Sequence, residues 1–375
     1  MSTSRITRFS VAACTASVIA LAASTSFAAS HKVAEQIDAL SKKVEAMGDS
    51  YAQKGVKGAS LTISGQVNRA VMFLDDAQGS QVLNVDNDAS SSRVRFVASA
   101  PMANGMKAGA RIEVQIESES SNNTNNNNQG AEGGFGARHI DAWVSGGFGK
   151  ISFGQGSTAT DGIMHANSFA AGLADITAEP GMGADAIVLG NTQLNQLAFG
   201  DGGREDRVRY DTPSFGGFKA SVSYANEGHV QLAARYGAKF NGVKVDARVG
   251  YESVSGADND AYQIAGSAGV TVAGVSANVA MATRESDTAG DDAFFWMVLA
   301  GWTGKVNSLG KTGFGIQYGE NNGNGAINQV RTIGVGVTQD LAPGTTAYAS
   351  YKNYKSELAG SEAANVAMVG MRVKF

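Results

Sequence analysis

From Ser60 to its last residue the chain is patterned with period two, and that limits what it can become. In the stretch Ala110-Arg111-Ile112-Glu113-Val114-Gln115-Ile116-Glu117, the residues Ile112, Val114 and Ile116 fall on one face and Arg111, Glu113, Gln115 and Glu117 on the other. Successive side chains of a strand point to opposite faces, so this is a strand between an apolar and a polar medium. The pattern recurs at Ser92-Arg93-Val94-Arg95-Phe96, at Lys150-Ile151-Ser152-Phe153 and at Arg207-Val208-Arg209-Tyr210. Tight-turn pairs such as Asn104-Gly105, Gly216-Gly217, Asn241-Gly242, Ala273-Gly274 and Pro343-Gly344 separate some strands. Long polar stretches separate others: 75–91, the Asn-rich run 122–128, 156–203, 253–260, 286–292, 321–328 and 356–363.

Short connections on one side, long ones on the other and a strand count of about sixteen describe an antiparallel transmembrane β-barrel. In lipid every backbone N–H and C=O must find a partner within the protein, and a closed barrel achieves this where an open sheet does not. The composition agrees. Only 17% of residues are charged, 48 are Gly and 4 are Pro, which suits many tight turns and a polar lumen in place of a large apolar core. A soluble periplasmic β-sandwich would not require the alternation of short and long connections.

The N-terminus reads differently. Arg5 and Arg8, an apolar stretch from Val11 to about Ala23 and the small residues around Ser26-Phe27-Ala28 form a secretory leader over residues 1–28. Its removal would take away Cys14, the single cysteine, leaving neither disulfide nor thiolate metal site. Over residues 29–57, Val33, Ile37, Leu40, Val44 and Met47 recur at spacings of four and three, the seam of a short coiled coil or of one amphipathic helix. The barrel is expected over 58–375.

Several functions are disfavoured. A formal charge of −4 offers no basic surplus for nucleic acid. Ala265-Gly266-Ser267-Ala268-Gly269 lacks the first Gly of a nucleophile elbow, and Gly310-Lys311-Thr312 lacks the Gly that a phosphate loop needs five residues earlier. Neither an enzyme nor a bound cofactor is expected. His165 reads as a polar lining residue, not a metal ligand, and Arg69 falls on the apolar phase of its strand.

The last strand, Ala364 to Phe375, alternates Val369, Met371, Val373 and Phe375 against Gly370, Arg372 and Lys374. It resembles the C-terminal assembly signal of Gram-negative outer-membrane porins, read by the barrel-assembly machinery. Ser64-Gly65-Gln66-Val67-Asn68-Arg69 resembles the first porin strand. Gly147 to Gln155 resembles the turn and strand before the constriction loop, and Val208 to Phe218 the strand and turn after it. The resemblance covers roughly residues 60–375. It implies a sixteen-stranded homotrimeric general porin in the outer membrane, among lipid and lipopolysaccharide, passing small hydrophilic solutes and ions. Its third loop, here 157–203, would fold inward and narrow the pore.

A pore discriminates by its width and by the charges that line it. The loop acids Asp161, Asp175, Glu179 and Asp185 are candidates for one wall, and Arg93, Arg95, Arg111, Arg207 and Arg209, on polar strand faces, for the other. Opposed rows would set a transverse field across the narrowing, as the resemblance also implies. The same arginines could instead staple neighbouring strands, for example Arg111 to Glu113 or Glu117. The acidic loop and net charge lean towards cations, and the strand arginines pull the other way. Two other readings are an anchor barrel that tethers the envelope through the coiled coil, and a channel specific for a sugar or phosphate.

Overall fold

The computed structural model describes residues 58–123, 134–166, 188–189, 192–193, 199–256, 259–286, 292–322, 330–356 and 363–375. The leader, the coiled-coil seam (Val33, Ile37, Leu40, Val44, Met47) and the loop acids Asp175, Glu179 and Asp185 lie outside them.

Among the described residues, nineteen strands follow one another: β1 (Ser60–Asp76), β2 (Gly79–Asp86), β3 (Arg93–Pro101), β4 (Lys107–Glu117), β5 (Gly134–Gly146), β6 (Gly149–Ser157), β7 (Val188–Leu189), β8 (Thr192–Gln193), β9 (Arg204–Asp211), β10 (Phe218–Ala225), β11 (Val230–Phe240), β12 (Val243–Gly256), β13 (Asn259–Val272), β14 (Val275–Ser286), β15 (Ala293–Gly304), β16 (Thr312–Asn322), β17 (Val330–Ala342), β18 (Thr345–Ser356) and β19 (Ala364–Lys374). All but β7 and β8 belong to one antiparallel sheet, and β19 pairs with β1 to close it. β2 and β3 pair with successive parts of β1 and form two halves of one crossing, so sixteen crossings build the barrel.

Closure is secured at the chain's end. The N–H of Gly65 donates to the carbonyl of Phe375 (2.8 Å) and the N–H of Phe375 to that of Gly65 (3.0 Å). A Cβ on Gly65 would stand 2.5 Å from the Phe375 ring, so only Gly lets the terminal aromatic lie there. Val369, Met371, Val373 and Phe375 all point outward and stay exposed in the isolated barrel.

Lipid-facing rows such as Ile112, Ile140, Phe153, Val208 and Ile316 are 49–61% exposed. Outward-facing aromatic pairs flank this band, Phe218 with Tyr236 (4.4 Å between ring centres) towards the turn end and Trp296 with Tyr318 (5.5 Å) towards the loop end. Such girdles mark the two membrane interfaces.

Two connections read as long are tight. β1 runs to Asp76 and turns back at once into β2, and β12 and β13 leave only 257–258 between them. The extra polar residues of 75–91 sit in mid-crossing. β2 leaves the sheet at Asn87 and β3 rejoins it at Arg93, opposite only Val67 and Asn68 of β1. The Asn87 side chain caps a short 3-10 turn by accepting from the N–H of Ala89 (3.1 Å), and Gln66 donates to the carbonyls of Ser90 (2.7 Å) and Ser91 (2.8 Å). Polar β1 side chains therefore hold this excursion inside the barrel.

Candidate functional site

The loop between β6 and β9 enters the lumen and is fastened along one wall. Ser223 Oγ of β10 accepts from the N–H of Ala159 (2.7 Å), and Arg235 of β11 donates to the carbonyls of Ala159 (2.8 Å) and Asp161 (2.9 Å). Arg248 of β12 donates to the carbonyl of Gly162 (2.6 Å). Ser267 of β13 donates to the carbonyl of Ile163 and accepts from the N–H of Ala166 (3.1 Å), and Asn278 of β14 donates to the carbonyl of Ala166. The returning limb is held by Gln263, whose side-chain oxygen accepts from the N–H of Gly200 (3.2 Å).

Apolar packing reinforces these bonds. Ile163, Met164 and Phe199 are buried against Ala265, Ala280, Ala282, Phe295, Met297 and Leu299, which β13, β14 and β15 turn inward. Burying a side chain of this size contributes about 1.5–3 kcal/mol. Phe199 meets Phe295 edge-on at 6.3 Å. Asp201 joins the two limbs, accepting from the N–H groups of Gly162 (3.2 Å) and Met164 (2.9 Å) and from His165 (2.9 Å). His165 is thus a clasp within the loop.

Beside this loop root stands a cluster of arginines on β3, β4, β5 and β9, of which Arg207 donates to the carbonyl of Ser157 (3.0 Å) and Arg209 to those of Ser157 (3.2 Å) and Thr158. Glu113, whose side chain is 1% exposed, receives Arg95, Arg138 (2.9 Å) and Arg93 (3.5 Å). Asp141, equally buried, receives Arg111 through two hydrogen bonds (3.0 and 2.9 Å) and Arg207 (3.0 Å). Asp211 receives Arg209 (2.8 Å) and, at 3.6 Å, Lys219. A carboxylate that accepts from several guanidiniums in fixed forks holds each of them in one orientation.

All five sequence-chosen arginines lie on the lumen phase. Their partners differ from the expected staple: Arg111 reaches Asp141, its cross-strand neighbour on β5, in place of Glu113 or Glu117. Arg138 was missed. The ladder of β4 and β5 slips between Glu113 and Val114, so that Arg138 and the next residue, His139, both turn inward. Simple alternation would have put one of them in lipid. Arg69 does lie on the outward phase, where its guanidinium binds Ser118 and Asn84.

Of the loop acids, Asp161 is described. It is half-buried at the root of the loop, and desolvation there raises its carboxyl above the usual carboxylate range. Residues 157–203 contain five acids, Asp161, Asp175, Glu179, Asp185 and Asp201, and no Lys or Arg. An acidic stretch of sequence is thereby rooted on a barrel wall rich in guanidinium.

A model of Gram-negative porins matches residues 12–358. The chain belongs to the Gram-negative porin family. It is a channel of the outer membrane, through which small hydrophilic solutes and ions diffuse. Solved porins share its fold at low identity. The anion-selective porin from Comamonas acidovorans superposes with a TM-score of 0.62 at 19% identity, over 84% of this chain and 100% of that one. The Salmonella typhi OmpF complex with daunomycin gives 0.59 at 14%, over 85% and 98%. In-vitro folded OmpT of Vibrio cholerae, in its trimer form, gives 0.58 at 16%, over 85% and 100%. No curated protein matches the chain.

Proposed function

We propose that the pore is narrowed between the acidic loop 157–203 and the arginine wall of β3–β6 and β9, and that solutes cross in the transverse field between them. One observation carries this reading: six guanidiniums, of Arg93, Arg95, Arg111, Arg138, Arg207 and Arg209, share three carboxylates, those of Glu113, Asp141 and Asp211. The same bridges serve as strand staples, and because they leave a positive surplus they serve the pore as well. Two loop acids stand at the root, Asp161 half-buried there and Asp201 held by its backbone bonds. The surplus on the wall then favours small anions, as in the anion-selective porin that shares the fold.

The chain works as a homotrimer, a state that the trimeric OmpT supports by its fold. Lipid and lipopolysaccharide surround the barrel, and the row Val369, Met371, Val373 and Phe375 serves as the signal for the assembly machinery. Reversal potentials across a planar bilayer under a potassium chloride gradient test the sign. Replacement of Arg93 and Arg138 by Ala moves the potential towards cations, and replacement of Asp175 and Glu179 by Asn and Gln moves it towards anions. An unchanged potential in both variants would remove the constriction from this place.

A further inference from the structure

One connection at the turn end of the barrel departs from its neighbours. Asn241-Gly242 joins β11 to β12, Ala273-Gly274 joins β13 to β14 and Pro343-Gly344 joins β17 to β18, whereas β15 and β16 are joined by seven residues, Lys305 to Lys311. The extra length is not slack. The Asn307 side chain accepts from the N–H of Leu309 (2.9 Å) and donates to Gln339 Oε1 (2.8 Å), which also accepts from Thr312 (2.6 Å). The N–H of Asp340 donates to the carbonyl of Lys311 (2.8 Å), and a Cβ on Gly310 would stand 2.7 Å from that of Asp340. The turn is therefore folded closely against the end of β17.

What this fixed turn presents is apolar and cationic. Val306 and Leu309 are 60% and 59% exposed, and Lys305 and Lys311, also exposed, flank them. Among the described residues neither lysine has an ionic partner. From Ala293 to Gly319 the chain carries these two lysines and no acid. The turn also continues the lipid-facing band. Trp302 and Phe314 stack on the strands that lead into and out of it (6.2 Å between ring centres), and the Trp302 indole lies over Gly304, where a Cβ would collide with the ring. An indole, exposed aliphatic groups and lysines at their edge are the composition of a membrane interface, where apolar parts enter lipid and ammonium groups reach the phosphates.

We propose that the β15–β16 turn is a phospholipid site of the turn-side leaflet: Val306, Leu309 and the Trp302 indole enter the acyl region, and Lys305 and Lys311 bind the phosphate of an anionic headgroup. Because the turn is already folded, binding requires little further ordering of the chain. Short turns are the rule on this side of such barrels, and an anchoring role accounts for the exception. Gly310-Lys311-Thr312, which fails as a phosphate loop, thereby belongs to a phosphate site of a simpler kind, made of ammonium groups. Attraction to a charged headgroup is worth about fivefold in affinity per lysine and is screened by salt.

Quenching by brominated lipids tests this in the full chain. Trp143→Phe with Trp296→Phe leaves Trp302 as the single tryptophan. The protein is refolded into phosphatidylcholine vesicles that contain dibrominated phosphatidylglycerol or, at equal mole fraction, dibrominated phosphatidylcholine. The proposal expects the anionic lipid to quench Trp302 more strongly, with a preference that fades in concentrated salt, drops about fivefold with Lys305→Ala or Lys311→Ala, and vanishes when both are replaced. Equal quenching by the two lipids overturns it, as does a preference that survives both substitutions. Entry of the turn is read separately from an environment-sensitive fluorophore on Leu309→Cys, in a chain carrying Cys14→Ser. That label is expected to be quenched from the lipid and shielded from iodide. A label quenched by iodide alone would leave the turn in water, and one shielded from both quenchers would give it to polypeptide, the N-terminal segment or a second copy; either result overturns the proposal. The folded band of unheated samples shows that each variant has formed its barrel. No current is measured, so failure here leaves the channel reading untouched.

Discussion

Two sectors of one lumen are built on opposite terms. Along β3–β6 and β9 the inward positions hold paired guanidiniums and carboxylates, and along β17–β19 and β1 methionine, valine, leucine and tyrosine are interspersed with Asn68, Thr332, Lys352 and Ser356. Both sectors face lipid with the same kind of apolar row, so the outer surface does not distinguish them. The inner chemistry therefore differs between the two walls, ionic on one and mixed apolar and polar on the other. A barrel lumen is therefore not one environment.

The largest expected effect lies in the charged sector. Glu113→Ala removes one carboxylate from among three arginines, and stranding buried charges in this way costs about 3–5 kcal/mol. The conversion of the folded to the unfolded band on heating in detergent should occur at a clearly lower temperature. A midpoint equal to that of the parent would show that the cluster is hydrated and contributes little.

In the apolar sector, Met368→Ala opens a cavity and should cost about 2–5 kcal/mol, whereas Met371→Ala, on the lipid face of the same strand, should cost much less. Equal losses at the two positions would erase the distinction between the faces of β19. At the loop root, Ser267→Ala takes away one donor and one acceptor and should cost about 1–3 kcal/mol, read as faster chymotryptic cleavage of the loop with the barrel intact.

The smallest effect is one of pH. The Asp161 carboxyl is held above its ordinary value of 3.8 by burial, so the folded chain takes up this proton at a higher pH than the unfolded chain does. Stability from this group is complete below the ordinary value and is lost as pH rises through the raised one. Asp161→Asn should remove that part of the pH dependence of loop cleavage, and an unaltered profile would assign it to another group.

Much of the barrel was legible because period-two alternation is fixed by strand geometry and needs no knowledge of neighbours. The lumen phase of Arg93, Arg95, Arg111, Arg207 and Arg209 could be read from it, and so could the outward phase of Arg69. Arg138 could not, since a bulge depends on the register between two strands and leaves no mark in either one alone. The excursion at 87–92 was equally hidden: Asn, Asp and Ser in that order suit an external loop as well as a capped turn inside the wall. The inward row of β1 was concealed by its own composition. In Ala70-Val71-Met72-Phe73-Leu74 both faces are apolar, so the alternation vanishes and only the pairing with β19 shows which residues point inward.

The central claim is an open pore whose passage runs along the arginine wall. Single-channel recording of the refolded protein in a planar bilayer, with the reversal potential taken under a salt gradient, tests it most directly. The account predicts stepwise insertions in multiples of three, an anion preference in the parent, and its loss when Arg93 and Arg138 are replaced by Ala. A folded barrel that carries no current, or one whose preference is indifferent to those two arginines, would contradict it.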